Sequence, residues 1–290
     1  MSRKVREAGL GYVLVLPSIT LFSVFIFYPF LRNFYLAIYF QPPFPGLPKT
    51  YAGLDQAREV LTGSDFFNSL KVTVLFALYT VPVGIALGLT LAVLVHRKLK
   101  GMAIYRTIFS STVATSVAVA SVIFFTLFNP QVGIVAYYFG TETNLLRDPT
   151  WALLAVSISF IWQNLGITFI LMSAGLGAVP DELLEAAHID GAGGWSRFRN
   201  ITLPLLSPMI FFAVVVGSIS AFQAFGQIDL LTEGGPGNRT NVLVYAIYSE
   251  VFKRNDPGAA AVLSIALFAI TLVLTIVQLR VLERRVFYGR

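Results

Sequence analysis

Long apolar runs separated by shorter polar ones dominate this chain. Six runs stand out, at roughly 9–31, 70–95, 104–128, 152–178, 204–226 and 259–282. Each holds about 20 residues or more, the number a helix needs to cross ~30 Å of hydrocarbon. They mostly lack the apolar–polar alternation of barrel strands. The pattern predicts an all-α polytopic membrane protein with six transmembrane helices, built as a single domain over 1–290. Pro17, Pro29 and Pro82 fall within or beside these runs, which membrane helices tolerate because neighbours satisfy the freed carbonyls. The basic start Arg3, Lys4, Arg6 leads into an apolar run long enough to span, with no small-residue cleavage site after a short core. The first helix is therefore expected to stay.

Composition sharpens the class. The chain is 56% hydrophobic and 12% charged, where a soluble domain carries roughly 25% charge. Its mean hydropathy is +0.74. The formal charge of +6 invites a nucleic-acid reading, but the basic residues flank apolar runs and act as topology signals instead. With a cytoplasmic N-terminus, Arg97, Lys98, Lys100, Arg106, Arg197, Arg199, Arg280, Arg284, Arg285 and Arg290 join the first three on the inner side. That majority of the 21 basic residues sits on the shorter loops, so both termini are expected to be cytoplasmic. There are no cysteines, which excludes a disulfide framework, a thiolate metal site and a cysteine nucleophile. His96 and His188 lie far apart in sequence, so no metal site and no cofactor is expected in this chain.

The outer loops carry local signals. Residues 41–48, QPPFPGLP, predict a rigid extended turn. Asp55 is placed to cap a short amphipathic helix reaching about Leu61, lying on the membrane surface. Residues 242–252 are apolar but too short to span, which predicts an interfacial or re-entrant helix on the outer face.

The most informative stretch is PDELLEAAHIDGAGGWSRFRNITLPLLSP, residues 180–208. Pro180 suits a first helical turn, and Asp181 and Glu182 sit where the helix dipole favours anions. Leu183, Leu184, Ala187 and Ile189 fit a short helix, and Gly191 can end it with φ > 0. Glu185-Ala186-Ala187, then Asp190-Gly191-Ala192, then Phe198, Ile201, Pro204 and Pro208 resemble the EAA loop of permease subunits of bacterial ABC importers. A second resemblance lies in Leu230-Leu231-Thr232-Glu233-Gly234-Gly235-Pro236 with Thr240, a turn typical of the first, maltose-permease-like subunit of carbohydrate importers. Gly234 and Gly235 permit φ > 0 there, and Pro236 stops a helix. Gly53-Leu54-Asp55, Ala178-Val179-Pro180 and the tail Leu282–Val286 extend the likeness over nearly the whole chain.

The resemblance implies a short cytoplasmic coupling helix within the loop 179–203, between helices four and five. Glu185 and Asp190 would supply polar contacts to an ATPase cleft, while Ala186, Ala187, Gly191 and Ala192 allow a close fit. It also implies a second, homologous permease subunit, two ATPase subunits that bind ATP and Mg, and an extracytoplasmic solute-binding protein, in a bacterial inner membrane with its lipid.

The chain itself has no Gly-x4-Gly-Lys-Ser/Thr phosphate loop, no nucleophile elbow and no His-Glu-x-x-His. It is therefore expected to be a transport subunit rather than an enzyme, with no catalytic residue and no nucleic acid partner. Carboxylates are almost absent from the helix centres, which leaves no proton relay. Polar residues at membrane depth remain for a substrate path. Trp162, Gln163 and Asn164 lie midway along the fourth helix. Ser220, Phe222, Gln223 and Gln227 lie in the outer half of the fifth, and the three- and four-residue spacing of Ser220, Gln223 and Gln227 would put those three on one face. Amides and aromatic faces suit sugar hydroxyls and C–H surfaces, although the same residues could join helices to one another. The run Ser110, Ser111, Thr112, Thr115 and Ser116 reads as small-residue packing. The leading expectation is import of a sugar or oligosaccharide. The alternative keeps the architecture and carries glycerol-3-phosphate or a glycerophosphodiester. The missing Lys or Arg at mid-membrane depth speaks against a phosphate unless the second permease supplies the charge.

Overall fold

The computed structural model describes residues 3–40, 50–96, 100–139, 144–283 and 286–287. The expected turn at 41–48 and most of the tail at 284–290 lie outside these residues. Helices in chain order are α1 (Arg3–Phe22), α2 (Tyr28–Ile38), α3 (Asp55–Thr62), α4 (Ser64–Val95) and α5 (Met102–Ser110). There follow α6 (Val117–Leu127), α7 (Ile134–Phe139), α8 (Ala152–Gly177), α9 (Asp181–Ile189) and α10 (Gly194–Arg197). The last are α11 (Leu203–Leu205), α12 (Ser207–Phe222), α13 (Gly226–Leu231), α14 (Leu243–Phe252) and α15 (Pro257–Leu282). The only strands among the described residues are two of two residues each, Tyr39–Phe40 and Thr50–Tyr51, paired antiparallel.

The chain contacts group residues 1–66 with 247–266, and 67–246 with 267–290. In the first unit a wide helical turn at Ser23–Phe27 joins α1 to α2, so the apolar run continues to Ile38 rather than stopping near residue 31. From Tyr12 onward this helix is almost wholly exposed, with Leu14 at 77%, a surface suited to lipid rather than water. Ala37, Ala261 and Val262 form a small core with Leu36, Ala57, Val60, Leu61 and Ile265. Asp55 occupies the first turn of α3 rather than its cap, which Leu54 takes without a side-chain bond; the carboxylate still lies at the positive end of the helix. Arg254 pairs with Glu250 at 2.6 Å and with Asp65 at 3.3 Å. Burial holds the Glu250 carboxyl above its ordinary pKa, against the pull of Arg254.

In the second unit Ala92, Val95, Phe169, Met172, Leu176, Leu206 and Ala213 pack α4, α8, α12 and the residue before α12 into one core. Among the described residues four helices are long and apolar enough to cross a membrane: Tyr12–Ile38, Ser64–Val95, Ala152–Gly177 and Pro257–Leu282. Two more runs are bent rather than straight, by 106° between Met102–Ala114 and Val117–Leu127, and by 62° between Gly194–Leu205 and Ser207–Phe222. The expected continuous helix at 104–128 is thus interrupted. Ser110 and Ser111 hydroxyls donate to the Thr107 and Ile108 carbonyls, and Ser116 instead accepts from the Val119 N–H to start α6. Side chains that bond their own backbone compete with helix continuation. The expected helix at 204–226 likewise stops at Phe222.

The Gly-Gly-Pro turn is built tightly. Gly234 has φ +79°, and a Cβ there would meet the Tyr245 ring at 2.6 Å, so only glycine fits. The second glycine is not in the left-handed region; Glu233, Gly237 and Asn238 are. Thr240, fully buried, donates to the Gly235 carbonyl and bonds the Thr232 hydroxyl, both at 2.7 Å. Asn68 donates to the Asn238 carbonyl, and the Leu243 N–H donates to Thr73, fastening the turn to α4.

Candidate functional site

The polar loop after α8 folds into a short helix with no buried residue. Pro180, in extended conformation, caps α9, so the first turn begins one residue later than its sequence suggests, at Asp181 and Glu182. At the other end the Gly191 N–H bonds the His188 carbonyl at 3.1 Å, and the Ala192 N–H bonds the Ala187 carbonyl at 2.9 Å. With Gly191 at φ +80° this is a Schellman closure, which satisfies the last carbonyls through a left-handed residue. Asp190 is the C-cap. Glu185, Ala186 and Asp190 are exposed and Ala187 half-buried. Leu183 at 46%, Ile189 at 86% and Trp195 at 72% exposure add apolar surface to this polar loop. Trp195, which the sequence pattern does not single out, stacks on Phe198 with ring centres 5.6 Å apart. Aromatic residues of this kind anchor protein contacts.

A second feature lies where the two bent runs meet α8. A recess of about 430 Å³ is lined by Thr112, Thr115, Gln163, Asn164, Ser220, Gln223 and Gln227, with apolar walls that include Val117 and Phe225. Ser220 is on α12, Gln223 caps it, and Gln227 is on α13, so the three do not share one helix face. The break brings them to the same recess by another route. Gln227, almost fully buried, donates its amide to Gln163 Oε1, and Gln163 donates to the Thr115 carbonyl at 3.3 Å. Asn164 donates within its own helix to Phe160. Trp162 packs edge-on against Phe124, and Phe222 is buried; neither lines the recess. Among the described residues no Lys, Arg, Asp or Glu lines it either.

The segment after the break at Phe222 and helix α8 both fit closely against the bend before α6. A Cβ on Gly226 would meet Val117 at 2.5 Å, and one on Gly166 would meet Thr112 Oγ1 at 2.5 Å. The Gly166 N–H donates to that hydroxyl at 2.8 Å. Thr112 is thus a docking group on α8, more than a small packing residue. No cluster of three His, Asp or Glu able to hold a metal ion occurs among the described residues.

Residues 84–288 match the family described as binding-protein-dependent transport system inner membrane component, a span that includes α9, both bends and the recess. The chain belongs to that family. It is an inner-membrane, multi-pass permease, a transport component and not an ATPase. The sn-glycerol-3-phosphate transport system permease protein UgpA of Agrobacterium fabrum is 38% identical over 284 residues, covering 97% of both chains. The proteins of the same name from Rhizobium meliloti (37%, 97% of both chains) and Pectobacterium atrosepticum (33%, 98% of this chain and 97% of that one) are also similar. Among solved structures, a bacterial ABC transporter involved in import of the acidic polysaccharide alginate aligns at TM-score 0.84 and 20% identity, covering 97% of this permease and 98% of that chain. The alginate transporter in complex with alginate pentasaccharide-bound periplasmic protein aligns at TM-score 0.85 and 21% identity, over 97% and 96%. At these identities the likeness speaks for the fold.

Proposed function

We propose that this permease is one transmembrane half of an ATP-driven importer of sn-glycerol-3-phosphate or a related glycerophosphate. The observation that carries the cargo is the near-full-length similarity, at 33–38% identity, to permeases named for that solute. In this reading each bent pair crosses the membrane once, giving six spans with both termini inside. Helix α9 docks in the cleft of an ATPase subunit that binds ATP and Mg, with Glu185 and Asp190 as polar contacts and Ala186, Ala187, Gly191 and Ala192 allowing close approach. A second, homologous permease completes the pathway, and a solute-binding protein delivers cargo from outside. The amides of Gln163, Gln223 and Gln227 meet glycerol hydroxyls, and the second permease meets the phosphate charge.

A neutral sugar is the second reading, favoured by the recess itself, whose lining holds hydroxyls and amides but no cation. Uptake of labelled sn-glycerol-3-phosphate and of labelled disaccharides, in cells with and without this gene, separates the two. Glycerol-3-phosphate uptake that requires the gene supports the first. Uptake of only a neutral sugar through it overturns the first in favour of the second.

A further inference from the structure

A second recess, of about 320 Å³, lies apart from the amide-lined one and has the opposite character. His96 and Arg106 line it with the hydroxyls of Ser110 and Ser173, over an apolar floor that includes Val95 and Phe169. No Asp or Glu lines it among the described residues, so the Arg106 guanidinium has no counter-charge from those walls. Its level is set by two spans: α4 ends at Val95 and α8 ends at Gly177, and both ends border the recess. That is the boundary between hydrocarbon and headgroups. Arg106 spends one donor on the Val95 carbonyl, at 3.4 Å; a guanidinium has five, in a fork that matches phosphate oxygens.

We propose that this recess binds a phosphate-bearing anion, and that the geometry favours the headgroup of an anionic phospholipid as its source. Arg106 takes the phosphate oxygens, His96 and the Ser173 hydroxyl complete the polar wall, and Val95 and Phe169 lie against the glycerol and the first methylenes. Basic pockets between membrane helices hold anionic headgroups in this way. A free phosphate would use the same donors but leave the apolar floor uncovered. An arginine that merely snorkels to the interface would give no saturable site.

The test uses the full chain, purified in detergent, stripped of lipid and titrated with fluorescent phosphatidylglycerol or phosphatidylcholine in mixed micelles. Phosphatidylglycerol should bind saturably and about five- to tenfold more tightly than phosphatidylcholine. Arg106→Gln should remove that preference while Arg106→Lys keeps part of it. Ser173→Leu, which fills the recess without altering charge, should also abolish the preference, and unchanged thermal unfolding of each variant certifies the fold. Equal binding of the two lipids, or an undiminished preference in folded Arg106→Gln, overturns the site. Inorganic phosphate that displaces phosphatidylglycerol competitively overturns the lipid source and assigns the site to a soluble anion.

Discussion

Gly166→Ala is the substitution whose cost the structure specifies most directly. The added methyl would lie 2.5 Å from Thr112 Oγ1, 2.8 Å from Val113 Cγ2 and 3.0 Å from the Ser110 carbonyl oxygen. Two of these atoms are on side chains, but the third is backbone and cannot rotate away. The turn at Ser111–Ala114 must therefore lift off α8, and the 2.8 Å bond from the Gly166 N–H to Thr112 stretches with it. Overpacking of this kind costs about 1–3 kcal/mol, and a weakened hydrogen bond adds about 0.5–1.5 kcal/mol. Replacing a helical glycine returns about 0.5–1 kcal/mol of backbone entropy. The net expectation is a loss of about 0.5–4 kcal/mol. Gly84→Ala in α4 is the internal control, because nothing lies within 4 Å of its added methyl; it should be neutral or slightly stabilising. Thermal unfolding of the two variants in one detergent gives the comparison. Combining Gly166→Ala with Thr112→Ala should recover only part of the loss, since the Ser110 carbonyl stays. Equal stability of Gly166→Ala and Gly84→Ala would refute the packing argument.

Glu185→Arg and Gly191→Asp should leave the permease in the membrane and abolish transport. The first reverses a charge on the exposed α9 face, and the second puts a side chain at φ +80°, at about 1–2 kcal/mol of local strain; ligand-stimulated ATP hydrolysis at wild-type rate would sink the coupling assignment. Single cysteines at Ser2, Thr141, Asn238 and Gly289, in a chain that has none of its own, test topology. Impermeant thiol reagents should label positions 141 and 238 of intact cells, and labelling at 2 or 289 reverses the orientation. Gln223→Ala should impair uptake with the melting temperature unchanged; a looser complex that transports normally would make Gln223 interhelical glue. Arg254→Gln removes the attraction that opposes burial at Glu250, so its carboxyl pKa should rise further. A carboxyl with a raised folded pKa binds its proton more readily when folded, so stability should fall as pH rises through that pKa. The variant should lose more stability between acid and neutral pH than the wild type, and parallel pH profiles would contradict this.

Hydropathy made the spans legible because span length is dictated by the solvent, and it located α4, α8 and α15 to within a few residues except at the start of α4. The α9 helix was legible too, down to Gly191, because its capping chemistry is local. What hydropathy missed were the two bends. Ser110, Ser111, Thr112 and Ser116 read as small packing residues, yet Ser116 caps the start of α6 and Thr112 takes a cross-helix partner, which a straight helix would not need. The break after Phe222 left no mark on the hydrophobic pattern at all. Its setting is tertiary: Gly226 seats against Val117 at the bend before α6, and a contact between residues so distant in sequence has no local signature. Periodicity grouped Ser220, Gln223 and Gln227 on one helix, whereas the fold collects them around a break.

The bends also explain why amides gather where they do. Within hydrocarbon a broken helix leaves backbone groups that must find partners inside the protein, at several kcal/mol for each that fails. Here α8 supplies one, through the Gln163 amide to the Thr115 carbonyl, while its Gly166 N–H holds the neighbouring turn by donating to the Thr112 hydroxyl. Gln227 then closes the chain by donating to Gln163. A polyhydroxylated solute entering the recess would meet the Gln163 and Gln227 amides already partnered with one another. Each solute hydroxyl would exchange with an existing bond instead of satisfying a vacant group, so the net gain per contact stays small. Weak binding of that kind suits a pathway that must release its cargo, and leaves tight recognition to a separate solute-binding protein.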